Sequence, residues 1–401
     1  MKTDFEFMPA GTVTTPSGFT AGAIYAGIKK EEKLDLAILA SEVPCVAAGV
    51  LTRNKIKAAP VVLCQQRLAG AKAVGVVVNS GCANACTGEQ GMADAREMAA
   101  LAAGVIGAPP EQVLVASTGV IGQMLPMERI RNGLKQISLS RDGGHEMARA
   151  IMTTDTVPKE VAVRVGGGGY TIGGVAKGAG MIHPDMATFL GFLATDARAD
   201  PVFLRTALKE AVDVSFNMVS IDGDTSTNDT LLLLANGLAG NEIISSGTAQ
   251  AEAFQQALDG LCIHLAKAMA RDGEGATKLF EVAVRGASDR VEARQIARTV
   301  VSSPLVKAAA YGNDPNWGRI LAAAGRSGAE VVESKVDLYL ADICLLKAGR
   351  PQPFDHAEAV QHLNKTEVAF TLNLNLGEGS AVAWGCDLTE NYAEINSHYT
   401  T

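Results

Sequence analysis

The chain has 401 residues, a formal net charge of −8, and 47% hydrophobic against 19% charged residues, with aromatics at only 5%. With no Lys/Arg run to offset the acidic balance, nucleic acid and anionic lipid are poor partners; no apolar stretch reaches the roughly eighteen residues of a membrane span; residues 1–11, carrying Asp4 and Glu6, lack the apolar region of a secretory leader. These exclusions leave a cytoplasmic enzyme acting on small molecules, built either as two domains or as one large layered α/β unit whose core is Ala, Val, Leu and Ile.

The first elements read as buried strands. Short apolar, β-branched runs at 34–40, 46–51, 74–79 and 113–116 are each bounded by turn residues. Between them, 89–106 repeats apolar residues at helical spacing after Thr87-Gly88, and 126–137 opens with Pro126 in the first-turn position. A further helix ends near Thr153, followed by strands at 161–165 and 170–176 around four consecutive glycines, Gly166 to Gly169. The run 188–197 (TFLGFLATDA) is continuously apolar from a β-branched start, as in a strand buried on both faces. Helices are expected at 201–214, 248–271 and 289–301. Strands are expected at 229–234, 278–285, 335–340, 367–375 and 381–388. No repeat or charged linker divides the chain; the softest boundary falls at 286–292.

Seven cysteines, an odd number scattered through apolar segments, suit reduced thiols. Cys82 and Cys86 are spaced as two metal ligands would be, but no second Cys/His pair follows, so no metal is expected. Asp222, Asp224, Ser226 and Asn228 alternate as in a calcium loop, yet Thr227 stands where that loop needs glycine and Leu233 where it needs a bidentate glutamate. The glycines near 166–174 lead into no GK[ST] and no dinucleotide fingerprint, so no bound nucleotide is expected.

The segment 177–197 (KGAGMIHPDMATFLGFLATDA) joins a glycine-rich approach, the restricted His183-Pro184 pair and an Ala187-Thr188 junction that opens the buried strand. A strained Ala187–Thr188 peptide is open to attack by the Thr188 hydroxyl, and an N→O acyl shift followed by hydrolysis would leave Thr188 as a new N-terminus. Its α-amine, with an ordinary pKa of about 7.7 to 8.0, would then serve as general base for its own hydroxyl. On pattern alone, a strand-initiating Thr after a glycine loop is the favoured reading of the segment.

Together with this segment, NSGCANACTGEQG (79–91), STGVIG (117–122), DGDTSTND (222–229), YGNDPNWGRI (311–320) and the terminal NYAEINSHYTT resemble, in order, the ornithine acetyltransferase family, also called glutamate N-acetyltransferases. Asp185, Phe189 and Ser397 depart from the family's commoner residues. The resemblance implies an α/β layered sandwich, with helices around two β-sheets, as in self-cleaving aminopeptidases. It also implies a cut between Ala187 and Thr188 that gives chains 1–187 and 188–401 assembling as α2β2. Thr188 would be the nucleophile, and Thr118 and Gly119 the oxyanion hole. Thr154, Lys177, Thr188, Glu274, Asn396 and Thr401 would contact substrate, with Lys177 suited to a carboxylate and Glu274 to an ammonium group. The reaction implied moves acetyl from N-acetylornithine to glutamate, giving ornithine and N-acetylglutamate in arginine biosynthesis, without a cofactor. Acetyl-CoA is a further co-substrate of some members. Without the resemblance each residue has a plainer reading: Thr118-Gly119 as a turn, Thr154 as a helix end, Lys177 and Glu274 as solvated charges, and the last residues as a frayed tail. Two other functions fit the same segment. One is an amidase or aminopeptidase that passes the acyl group to water; the other is an uncleaved amino-acid-binding protein.

Overall fold

The computed structural model describes residues 5–183 and 189–398, over which the chain forms two β-sheets with helices packed against both. The first strands are β1 (Phe5–Met8), β2 (Phe19–Ile24), β3 (Leu36–Leu51), β4 (Lys72–Cys82), β5 (Val113–Val120), β6 (Lys159–Val165), β7 (Tyr170–Lys177) and β8 (Leu190–Thr195). They continue with β9 (Val219–Ser220), β10 (Thr230–Ala235), β11 (Leu279–Ala287), β12 (Asp337–Leu340), β13 (Ile343–Lys347), β14 (Arg350–Pro351), β15 (Glu367–Asn373) and β16 (Gly379–Cys386). The helices are α1 (Ala59–Leu68), α2 (Gly88–Ile106), α3 (Met127–Leu134), α4 (Gly144–Ala150), α5 (Pro201–Val214) and α6 (Ala249–Arg271). After them come α7 (Arg290–Val301), α8 (Pro304–Tyr311), α9 (Trp317–Gly325), α10 (His356–Leu363) and α11 (Glu390–His398).

One sheet has nine strands in the order β1-β6-β7-β8-β10-β3-β4-β5, with β2 also paired to β3; the other has seven, β14-β13-β12-β15-β11-β16-β9. The two runs expected at 34–40 and 46–51 are one strand, β3. Its pairing with β4 shifts register between Ala40 and Cys45, which absorbs Pro44 without ending the strand. β4 takes one edge of β3, while β2 and then β10 share the other.

Side chains of β8 and β10 go to two different cores. Leu190, Phe192, Ala194, Leu232 and Leu234 pack with Met147 of α4, whereas Leu193, Leu231 and Leu233 pack with residues of α5 and α6 such as Leu204 and Leu261. Burial on both faces is why these strands read as unbroken apolar runs. α6 lies on β6 and β7 and reaches β9 and β16 of the second sheet, and α7 covers β11 and β16. Residues 286–292 take in the end of β11, the connection at 288–289 and the start of α7.

α5, α6 and α7 start where capping side chains satisfy their free amides. Asp200 accepts from the amides of Val202 and Phe203 ahead of α5, Thr248 from Ala251 ahead of α6, and Asp289 from Glu292 ahead of α7. α1 matches no element expected from the sequence, and the tail through His398 is the helix α11. No helix among the described residues is long and apolar enough to cross a membrane.

Candidate active site

Six of the residues singled out in the sequence line one cleft of about 230 Å³: Thr118, Gly119, Thr154, Lys177, Glu274 and Asn396. Ala187, Thr188 and Thr401 lie outside the described residues; Phe189, bonded to Thr188, is buried against Phe216, their rings stacked 4.1 Å apart.

Thr118 and Gly119 are not in a turn after a strand but within the end of β5, where its pairing with β4 shifts register at Gly81/Cys82. Gly119 has φ +125°, and a Cβ there would sit 2.3 Å from the Gly81 carbonyl carbon. Only glycine lets the two backbones approach this closely. A side-chain network holds the spot. Asn228 donates to the carbonyls of Ala83 (2.6 Å) and Ser117 (2.8 Å), Ser117 donates to Asn79 (2.6 Å), and Asn79 donates to the Cys82 carbonyl (2.9 Å). Three motifs distant in sequence are thus stitched together by amide and hydroxyl groups.

Lys177 ends β7 and is only 6% exposed. Burial lowers the pKa of its amine, opposed by the charges of Asp155, Asp229 and Glu274. Its Nζ donates to the Thr153 hydroxyl at 3.3 Å. Glu274, 7% exposed, accepts from the Asn396 side chain at 2.8 Å, which ties α11 across the mouth of the cleft. Gly180 makes room for this glutamate, since a Cβ there would lie 2.4 Å from its carboxyl carbon. Neither Lys177 nor Glu274 forms an ion pair among the described residues, so a buried cation and a buried anion both face the cleft. Two such groups complement the carboxylate and ammonium of an amino acid.

Three carboxylates at and behind the cleft have roles that arise from burial and distant contacts, which the sequence did not assign even to Asp222 and Asp229 of the 222–229 motif. Asp155 accepts from Lys159 at 2.6 Å, from the Gly178 amide at 2.7 Å and from the Thr153 amide at 3.0 Å, and Lys159 is shared with Asp272 at 2.6 Å. Burial opposes its ionisation, but Lys159 and Lys177 outweigh it and hold the Asp155 pKa at about 2. Asp222 accepts from the amides of Met181 and Ile182, fixing the chain just ahead of the 184–188 segment, and burial pushes its pKa up to about 6. Asp229, at the start of β10, is buried with no hydrogen-bond partner of ordinary geometry for either carboxylate oxygen among the described residues. Burial raises its pKa well above the ordinary range, against the pull of Lys177 and of the Phe189 amide that faces it.

Asp155 gives a pH dependence with a definite sign. A folded pKa of about 2 lies below the ordinary value of about 3.9, so its ionised form favours the fold. The contribution, about 2 kcal/mol, is complete above pH ~4 and is lost as pH falls through about 2. Urea unfolding of wild type and Asp155→Asn between pH 5 and 2 is expected to show a smaller acid loss in the variant, and equal losses would remove Asp155 from this role.

A sequence profile of the ArgJ family matches residues 20–401. The chain is 55% identical over 405 residues to the arginine biosynthesis bifunctional protein ArgJ of Dehalococcoides mccartyi, with 100% of both chains covered. To the protein of that name from Symbiobacterium thermophilum it is 56% identical over 398 residues, covering 98% of this chain and 99% of that one. The crystal structure of arginine biosynthesis bifunctional protein argJ from Bacillus halodurans superimposes with a TM-score of 0.50 at 45% identity, covering 51% of this chain and 96% of that chain.

Proposed function

The chain belongs to the ArgJ family and is an acyltransferase of arginine biosynthesis, and from that premise we propose that it carries acetyl from N-acetylornithine to glutamate on the Thr188 hydroxyl. The observation that carries the proposal is the cleft itself: buried Lys177 and buried Glu274, unpaired with each other, face the space beside Thr118 and Gly119.

In this reading the Thr188 hydroxyl first attacks the Ala187 carbonyl. The peptide C–N bond breaks as the ester forms, and water then hydrolyses the ester, leaving a carboxylate on Ala187 and a free amine on Thr188. In the transfer reaction that amine takes the hydroxyl proton while Oγ attacks the acetyl carbonyl of N-acetylornithine. Thr118 and Gly119 hold the oxyanion; collapse expels the ornithine amine, which takes up the proton. Glutamate reverses these steps, its amine attacking the acetyl ester and releasing Oγ. Lys177 binds the substrate α-carboxylate, Glu274 binds an ammonium group, and Thr154, Asn396 and Thr401 complete the contacts. Acetyl-CoA as an alternative donor belongs to the same proposal, and the word bifunctional in the relatives' names is in keeping with it.

The cut would fall between β7 and β8, which pair antiparallel from Ile172↔Thr195 to Lys177↔Leu190. Chain 1–187 would supply β1 to β7 and chain 188–401 would supply β8 and β10 to a single sheet, with β10 also paired to β3, so the products would stay associated. Two copies of each would form α2β2 in the cytoplasm. The Bacillus halodurans chain, at about half the length of this one, is in keeping with such a cut.

Transfer to water in an amidase, and an uncleaved binding protein, are both disfavoured by membership of an acyltransferase family. Intact mass under denaturing conditions, with N-terminal sequencing, is expected to find two chains, the second starting Thr188-Phe189. Acetyl exchange between N-acetylornithine and glutamate should follow. A single chain together with no exchange would overturn the reading.

A further inference from the structure

Asp229 is a buried carboxyl that the acetyl-transfer steps leave unassigned. It is 3% exposed, and neither of its carboxylate oxygens has a hydrogen-bond partner of ordinary geometry among the described residues. Native folds seldom bury a carboxyl without a donor, because the lost hydration is not replaced. Neighbouring donors are engaged elsewhere. The Thr52 hydroxyl donates to the Ser226 carbonyl at 2.8 Å, the Thr52 amide to the backbone carbonyl of Asp229 at 2.9 Å, and the Lys177 amine to the Thr153 hydroxyl at 3.3 Å.

The fold sets this carboxyl beside the start of β8. β10 and β8 run parallel with Thr230 opposite Leu190, and the Thr230 amide donates to the Phe189 carbonyl at 3.0 Å. Asp229 therefore stands level with Phe189, whose amide faces its carboxyl. On the other side of β8, Lys177 of β7 is also opposite Leu190. Asp229 and Lys177 thus flank the first residues of β8 from the two neighbouring strands, and Lys177 is the charged group that acts on Asp229, itself facing Asp155, Lys159 and Glu274. Thr188 is bonded to the Phe189 nitrogen. An amine on Thr188 is three covalent bonds from that nitrogen and within about 4 Å of it in any conformation.

We propose that Asp229 is the hydrogen-bond acceptor for the α-amine that cleavage releases on Thr188, a positioning residue that turns this amine toward its own hydroxyl. The inference rests on the cut at Ala187–Thr188 and on transfer through Thr188. A nucleophile, its base and a third group that orients the base form a set that recurs on unrelated folds, and here the third place is otherwise empty. In the active form Asp229 is a carboxylate opposite Lys177 and the amine is neutral. As Oγ attacks the acetyl carbonyl its proton passes to the amine, and Asp229 faces the ammonium so formed. Collapse returns that proton to the departing ornithine amine, and Asp229 neither gains nor loses one.

The test is Asp229→Asn, nearly equal in size but uncharged, beside Asp229→Glu in the full-length protein. The asparagine variant is expected to be cut into two chains and to melt close to wild type, because the amine does not exist until the cut is made. Its kcat for acetyl exchange should fall about a hundredfold or more, with KM changed by less than about threefold. The rising limb of its kcat–pH profile should move to lower pH by about one unit, since a neighbouring carboxylate favours the ammonium form and asparagine does not. Asp229→Glu adds a methylene to a packed site but keeps the charge, so it should exchange faster than the asparagine variant and hold the wild-type limb. A merely structural role predicts the reverse order and moves neither limb. The proposal is overturned if Asp229→Asn keeps the wild-type kcat and limb, if it stays uncut, or if the glutamate variant is the slower of the two. A single wild-type chain with no exchange would instead overturn the cut and the transfer themselves, and this inference with them.

Discussion

Thr188→Ala is expected to yield one uncut chain of 401 residues and to lower acetyl exchange by on the order of a thousandfold or more, with no loss of thermal stability. Both effects share a cause. Without the hydroxyl there is nothing to attack the Ala187 carbonyl, so no new amine appears and no group is left to carry the acetyl ester. Stability should be retained because the ladders that hold the flanking strands, β7 to β8 and β8 to β10, are made by residues 172–177, 190–195 and 230–235. Thr188→Ser keeps both hydroxyl and amine and should be cut into two chains, with exchange slowed but measurable. Denaturing mass spectrometry and a coupled exchange assay read the two effects separately. An alanine variant that still appeared as two chains, or that exchanged acetyl at the wild-type rate, would remove Thr188 from the mechanism.

Elements whose burial is uniform are the legible ones. β8 and β10 are apolar throughout because both faces are covered, and α5, α6 and α7 announce themselves through Asp200-Pro201, Thr248 and Asp289 ahead of amphipathic runs. α1 is hidden in the sequence although Pro60 stands in its first turn, because APVVLCQQRL opens with the β-branched, apolar residues of a strand. The two-stranded reading of β3 fails for a different reason: Pro44 sits at an irregular part of the ladder where its missing donor costs little.

The site divides in the same way. Lys177 and Glu274 as a pair, and Thr118-Gly119 as a bulged strand end, are foreseeable only through family resemblance, since neither residue type nor spacing specifies which charges will be buried. The roles of Asp155, Asp222 and Asp229 have no such signal. Asp155 works through Lys159 and Asp272, the latter 113 residues from Lys159, and Asn228 reaches carbonyls 145 and 111 residues away. Contacts at such separation leave no local pattern in a sequence.

Gly119→Ala should cost more than any other single methyl group added near the cleft. The added Cβ would meet the Gly81 carbonyl carbon at 2.3 Å and the Cys82 nitrogen at 2.6 Å, and both are backbone atoms that no side-chain rotation can move aside. The residue must also hold φ +125°, a region that non-glycine residues occupy only with strain of order 1–3 kcal/mol. The bulge between β4 and β5 therefore has to open, carrying the Thr118-Gly119 backbone away from the position of a developing oxyanion. Loss of one such donor is typically worth about a hundred- to a thousandfold in kcat, and KM should change little because Lys177 and Glu274 sit on other elements. Gly122→Ala supplies the control. Gly122 has φ +80° but nothing within 4 Å of the place an added methyl group would take, so it bears the conformational strain without the clash. Its variant should lose stability of order 1 kcal/mol and keep its kcat. If Gly119→Ala retained wild-type kcat, or if both variants lost activity only in proportion to their melting temperatures, the strand end at Gly119 would be structural and the oxyanion would have to be held elsewhere.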